Sequence, residues 1–139
     1  MGNLQKEVQT KLTKGLIDLI VLQLIDSKPM HGYQIITKIR RSFGVYFGPS
    51  TIYPLLTALE KKGYLTSCWN MESERPRKMY DLTNKGKNML SFTEKSLNII
   101  CKRIAEDAAT KNEMSETRRI ERDITYKEKM TSALSTLSR

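Results

Sequence analysis

Between residues 48 and 83 the pattern of apolar and polar positions switches from a helical period to a strand period. In 49–63 the apolar residues Ile52, Leu55, Leu56 and Leu59 fall at i, i+3, i+4 and i+7, one stripe of an amphipathic helix. Ser50 or Thr51 is placed to cap its start and Gly63 to end it, with Pro54 in or beside the first turn, where a missing N–H costs least. Residues 64–69 are rich in strand formers, and 78–83 alternate polar and apolar. The polar loop 70–77 between them places Pro76 near the start of the second strand, where proline is tolerated. The pattern predicts a helix followed at once by a β-hairpin with Arg75, Arg77 and Lys78 at the exit of its loop.

The rest of the chain is helical in pattern. Residues 4–26 read as one helix: Leu4, Val8, Leu12 and Leu16 make a narrow stripe, and 16–25 are apolar nearly all round, as in a covered helix. The narrow stripe suits contact with a partner subunit. Pro29 stops the helix, and 31–43 read as a second one, with Ile35, Ile36, Ile39 and Phe43 toward the core. The turn that follows has two glycines, Gly44 and Gly48, that allow positive φ. Tyr46 and Phe47 are expected to cover the core, and Trp69 to pack within the hairpin. After Thr83, expected as a cap, a long helix begins. Leu90, Leu97 and Ile104 repeat every seven residues with Ile100 between, a spacing for helix–helix association, although Thr93 occupies an intermediate position. Residues 107–139 lack Gly and Pro, alternate in charge sign and carry sparse apolar positions, which suits a solvent-exposed helix. The expected divisions are 1–83, 84–106 and 107–139. The fold class is mainly α with a small β-hairpin wing: a winged helix-turn-helix plus a long C-terminal dimerisation helix.

Charge sharpens this picture. The formal net charge is +9 and the pI about 9.6, and residues 28–87 hold eleven Lys/Arg against four Asp/Glu. A positive field gathered on the helix-turn-helix and hairpin favours a polyanion as partner. On the helix over 49–61 the face opposite the apolar stripe carries Ser50, Pro54, Thr57 and Lys61, with Tyr53 on its shoulder. It is short, polar and nearly free of acid, and it fits the major groove of DNA.

Other chemistries are poorly supplied. No phosphate-binding glycine loop, nucleophile elbow, paired carboxylates or HExxH is present, so an enzyme is not expected. His31 is the only histidine; without Cys or carboxylates clustered beside it, it makes a hydrogen bond at a helix start rather than a metal site. Cys68 and Cys101 form no disulfide framework; no basic cluster adjoins Cys68 and Cys101 lies on an apolar helix, so a thiol sensor is not expected. The polar, mixed-charge 1–14 is not a secretory signal, and the run 16–25 is too short to span a bilayer. The expected location is the cytoplasm, with no membrane partner and no cofactor.

Four segments carry a resemblance: Met30-His31-Gly32-Tyr33-Gln34-Ile35, Thr51-Ile52-Tyr53-Pro54-Leu55-Leu56, Leu59-Glu60-Lys61-Lys62-Gly63-Tyr64-Leu65, and residues 75–83, RPRKMYDLT. In order and spacing they resemble the PadR family of prokaryotic transcriptional regulators, over about residues 14–106. Family members often have Arg where this chain has Ala58, a second Tyr where it has Met79, and Arg or Lys where it has Asp81. The Ala58 difference puts one phosphate or intrahelix contact in doubt; none of the three breaks the fold pattern. The resemblance implies that Tyr33 reaches a phosphate, that the first and last helices dimerise, and that a small-molecule effector or a change in expression level relieves binding.

The expected function is therefore a sequence-specific DNA-binding regulator, a homodimeric repressor on double-stranded DNA. Candidate DNA contacts are Tyr33, Ser50, Thr51, Tyr53, Thr57, Lys61, Arg75, Arg77 and Lys78. Candidate dimer contacts are Leu4, Val8, Leu12, Leu90, Leu97, Ile100 and Ile104. The alternative is a winged-helix protein-interaction module without direct DNA readout, which has no need of the basic bias over 28–87.

Overall fold

The computed structural model describes residues 2–137. The elements in chain order are α1 (Asn3–Gly15), α2 (Ile17–Ser27), β1 (Met30–His31), α3 (Gly32–Phe43), α4 (Pro49–Lys61), β2 (Leu65–Asn70), β3 (Arg77–Leu82) and α5 (Asn84–Leu137). The chain forms two compact units, Met1–Lys95 and Ser96–Arg139.

The single helix expected over 4–26 is two. Leu16 leaves helical geometry at φ −107°, ψ 10°, and its N–H is shared between the carbonyls of Leu12 and Thr13. Gly15, weak in a helix interior, stands at the break. The break separates two faces: α2 buries Leu19 to Leu22 and Ile25, while Leu4, Val8 and Leu12 of α1 stay exposed. Gln9 ties α1 back to the domain by donating to the Phe43 carbonyl at 3.0 Å.

Helix α3 buries Ile35, Ile36 and Ile39, and leaves Phe43 half-buried. Gly44 ends it at φ 68°. Gly48 is different: at φ −82° it is extended and forms the N-cap of α4, with Pro49 as the first helical residue. Neither Ser50 nor Thr51 caps the helix, because both already lie inside it. Pro54 is accordingly one turn deeper than expected, and the Ser50 carbonyl has no i+4 N–H to meet. Both residues are exposed, so water can serve that carbonyl. The expected stripe holds: Ile52, Leu56 and Leu59 are buried and Leu55 is half-buried. Gly63, at φ 82°, closes α4 with paired bonds, Tyr64 N–H to Leu59 and Gly63 N–H to Glu60, a Schellman arrangement.

The expected hairpin is the larger part of a three-stranded antiparallel sheet ordered β1-β3-β2. The two-residue β1 straddles Met30, before the second predicted helix, and His31, its first residue, and is too short to carry a strand period. It pairs Met30 with Tyr80 and His31 with Met79. Strand β2 pairs Leu65 with Leu82 through Asn70 with Arg77. Tyr80 and Leu82 point into the core beside Met30 and Leu65. Thr83 caps α5 as expected: its Oγ1 accepts the Gly86 N–H at 3.0 Å and donates to the Gly63 carbonyl at 2.6 Å. A Cβ on Gly86 would run into the Tyr64 carbonyl, so glycine lets α5 start against the end of α4. From Asn84 onward α5 takes in both predicted helical segments, to Leu137. Among the described residues, no helix is long and apolar enough to cross a membrane.

Candidate nucleic-acid interface

The N-terminus of α3, the exposed side of α4 and the wing β2–β3 meet around an open cleft of about 440 Å³. Its lining includes Tyr33 from α3, Tyr53 from α4, Trp69 from β2 and Arg75, Arg77 and Lys78 from the wing, and none of its residues is acidic. Three elements far apart in sequence thus bring aromatic rings and cations to one place.

Each side chain is set there by local structure. Tyr53 leans on the start of α3: a Cβ on Gly32 would lie 2.5 Å from Tyr53 Cε1, so the ring occupies the space a side chain would need. Ser50, Thr51, Thr57 and Lys61 line the solvent side of α4 with Tyr53, all exposed. The Thr57 hydroxyl donates to the Tyr53 carbonyl at 3.0 Å, and the residue is exposed. Tyr33 is exposed at the first turn of α3.

His31 links the wing to the helix-turn-helix. It is the N-cap of α3 in a capping box: Gln34 N–H lies 3.3 Å from His31 Nδ1, and Gln34 Oε1 accepts the His31 N–H at 3.1 Å. The helix-start role expected for this residue is present. On the other side of the ring, Arg77 Nη1 stands 2.9 Å from Nε2. Burial, and then the Arg77 charge, hold the His31 pKa below its ordinary 6.5.

Sequence reasoning missed this link, together with two other features of the wing. Lys78, which the sequence assigns to the same exposed basic cluster as Arg77, alternates to the opposite face of β3. Its Nζ lies 3.8 Å from Glu60 Oε2 of α4 and 5.7 Å from the Tyr80 ring centre. Burial chiefly, then Glu60 and Tyr53, raise the Tyr80 pKa. Trp69 does not pack within the wing but is 62% exposed, across the pairing from Lys78. Strand alternation from Arg77 was the available signal: a register fixed by buried Tyr80 and Leu82 puts Lys78 inward and Arg77 on the His31 side. Tyr46 is likewise exposed instead of covering the core, whereas Phe47 is buried.

The candidate dimer residues are placed unevenly. Leu90 is 5% exposed, taken up by the protomer itself. Leu97 is half-buried, and Ile100 and Ile104 are exposed, as are Leu4, Val8 and Leu12 on α1. Cys68 and Cys101 are free and exposed. No cluster of three or more His, Cys, Asp or Glu suited to a metal occurs among the described residues.

Known proteins share this fold. Residues 21–91 match the transcriptional regulator PadR-like family, a span from α2 through the wing into α5. A PadR family transcriptional regulator from Eggerthella lenta is similar with a TM-score of 0.67 and 26% identity, over 75% of this chain and 91% of its own. A PadR-like transcription factor from Bacteroides fragilis gives 0.62 and 28%, over 72% and 97%. An uncharacterized protein of Lysinibacillus sphaericus is 32% identical over 87 residues, 60% of this chain and 80% of its own length. With four family motifs assembled into one winged-helix unit, and with the family match covering half its length, the chain belongs to the PadR-like family of transcriptional regulators.

Proposed function

We propose that this PadR-family protein is a sequence-specific, homodimeric repressor working in the cytoplasm on double-stranded DNA. The observation that carries the reading is the acid-free cleft where the α3 start, α4 and the wing converge. Helix α4 lies in the major groove with Ser50, Thr51 and Thr57 toward base edges. Tyr33, Tyr53, Lys61, Arg75 and Arg77 contact backbone, and Lys78 adds charge beside α4 near the loop end of β3. Two such heads, joined through the exposed stripes of α1 and α5, meet half-sites about 34 Å apart. Relief by a small-molecule effector belongs to the reading on family grounds alone.

The test is a mobility shift of the full chain with genomic fragments at two salt concentrations, followed by selection of the bound fragments. Retardation that weakens steeply with salt and enriches one sequence supports the reading. No retardation at low salt turns the assignment to a protein-interaction module.

A further inference from the structure

Both ring nitrogens of His31 face obligate donors. Nδ1 lies 3.3 Å from the Gln34 N–H and Nε2 lies 2.9 Å from Arg77 Nη1. A backbone amide and a guanidinium only donate, and a neutral imidazole has one lone pair on its two nitrogens. The two bonds therefore exclude each other. With the proton on Nδ1, Nε2 accepts from Arg77 and the ring's half of the α3 capping box is lost, while His31 N–H still donates to Gln34 Oε1. With the proton on Nε2, the cap forms and two N–H groups confront each other. A doubly protonated ring accepts neither bond.

Among the described residues lining the cleft, no carboxylate relieves this conflict. Arg75, Arg77 and Lys78 from the wing, Tyr33 from α3, Tyr53 from α4 and Tyr80 from β3 line the same cleft, and none is a carboxylate. Glu60 of α4 is engaged with Lys78. A phosphate arriving in the cleft would supply the missing acceptor for Arg77.

We propose that His31 is a positioning residue for DNA contact: its Nε2 holds the Arg77 guanidinium at the loop end of β3, and a DNA phosphate draws Arg77 away and leaves Nε2 to carry a proton. This rests on the DNA-binding reading above. At neutral pH the proton moves from Nδ1 to Nε2 through water, which restores the Gln34 cap. At lower pH a second proton comes from solvent. No other bond changes. Since leaving Arg77 removes one of the two causes that depress the ring's basicity, and phosphate adds a negative charge nearby, DNA binding and proton binding reinforce each other.

His31 is the only histidine, so ring ¹⁵N resonances belong to it without assignment. The experiment records them across a pH series for the full chain, free and bound to a mixed-sequence DNA duplex, together with affinity for that duplex. In the free protein, Nε2 is expected to show a lone-pair shift and the ring to titrate below 6.5. In the complex, Nε2 is expected to show an N–H shift and the ring to titrate higher. For each unit by which DNA raises that titration, affinity gains up to about tenfold on acidification. Arg77→Ala, at an exposed position, is expected to raise the His31 titration in the free protein and to flatten the pH dependence of affinity.

An Nε2 lone pair that persists in the complex, or a pH dependence unchanged in Arg77→Ala, overturns the proposal. Retardation without any His31 change overturns it alone; absence of retardation at every pH overturns the DNA reading with it.

Discussion

His31 is 8% exposed and its ring stays neutral to hold either of its contacts, which makes folding sensitive to acid. Its folded pKa lies below the ordinary 6.5 that the unfolded chain retains. As pH falls through 6.5 the unfolded chain takes up a proton that the folded protein does not yet bind, so stability decreases. Urea midpoints measured on either side of that pH are expected to drop toward acid, and the drop should be largely lost in a His31→Gln variant. Two glycines give a second contrast. At Gly86 a side chain meets the Tyr64 carbonyl, which is backbone, so Gly86→Ala is expected to destabilise by roughly 1–3 kcal/mol despite better helix propensity. At Gly32 it meets the movable end of Tyr53, so Gly32→Ala should cost less stability and instead shift that ring. Urea unfolding of both variants separates the two cases. Sequence made His31 legible as a helix-start residue because it opens the helical pattern of 31–43 and has no Cys or carboxylate cluster beside it. It did not reveal Arg77 on the other ring nitrogen, 46 positions away, because only the β1–β3 pairing brings the two together.

At the scale of elements, α4 was the most legible, because its apolar stripe has a full helical period and Gly63 marks its end. Its start was less so. Ser50 and Thr51 are good caps by type, but Pro49 suits the first helical position and moves the cap back to Gly48. The α1–α2 break at Leu16 was hidden because apolar residues continue across it with helical spacing. The wing's register separates two cations that the sequence treats alike. Arg77 is exposed beside His31, while Lys78 is turned toward Glu60. Arg77→Ala is therefore expected to lower the log–log salt slope of DNA binding by about 0.9, the loss of one phosphate contact, and Lys78→Ala by less. Equal slopes for wild type and Arg77→Ala would place that guanidinium off the DNA.

At the scale of the whole molecule, α1 and α5 leave apolar side chains uncovered in a single chain. Leu4 is 73% exposed and Ile104 is 65% exposed, and apolar stripes left open in water are stabilised by pairing with a second helix face. Leu97→Glu is expected to give monomers that keep their helix content, while the wild type sediments as a dimer at micromolar concentration. A stable wild-type monomer there would contradict the dimer. Leu90, counted into the same heptad from sequence, instead belongs to the protomer's core; the repeat gives the face of a helix but not where that face changes from covered to open. The basic bias over 28–87 was legible as a partner class, and three of its cations, Arg75, Arg77 and Lys78, line the cleft.

The central claim is that α4 reads bases while the wing and Tyr33 hold the backbone, and the most direct measurement is a competition assay of Thr57→Ala on selected operator and scrambled duplex. Thr57 is exposed, uncharged and bonded only to its own helix, so the substitution should change stability by less than about 0.5 kcal/mol. It is predicted to weaken operator binding by roughly 1–3 kcal/mol and to leave scrambled DNA unaffected. An unchanged operator-to-scrambled ratio would contradict base reading by this helix.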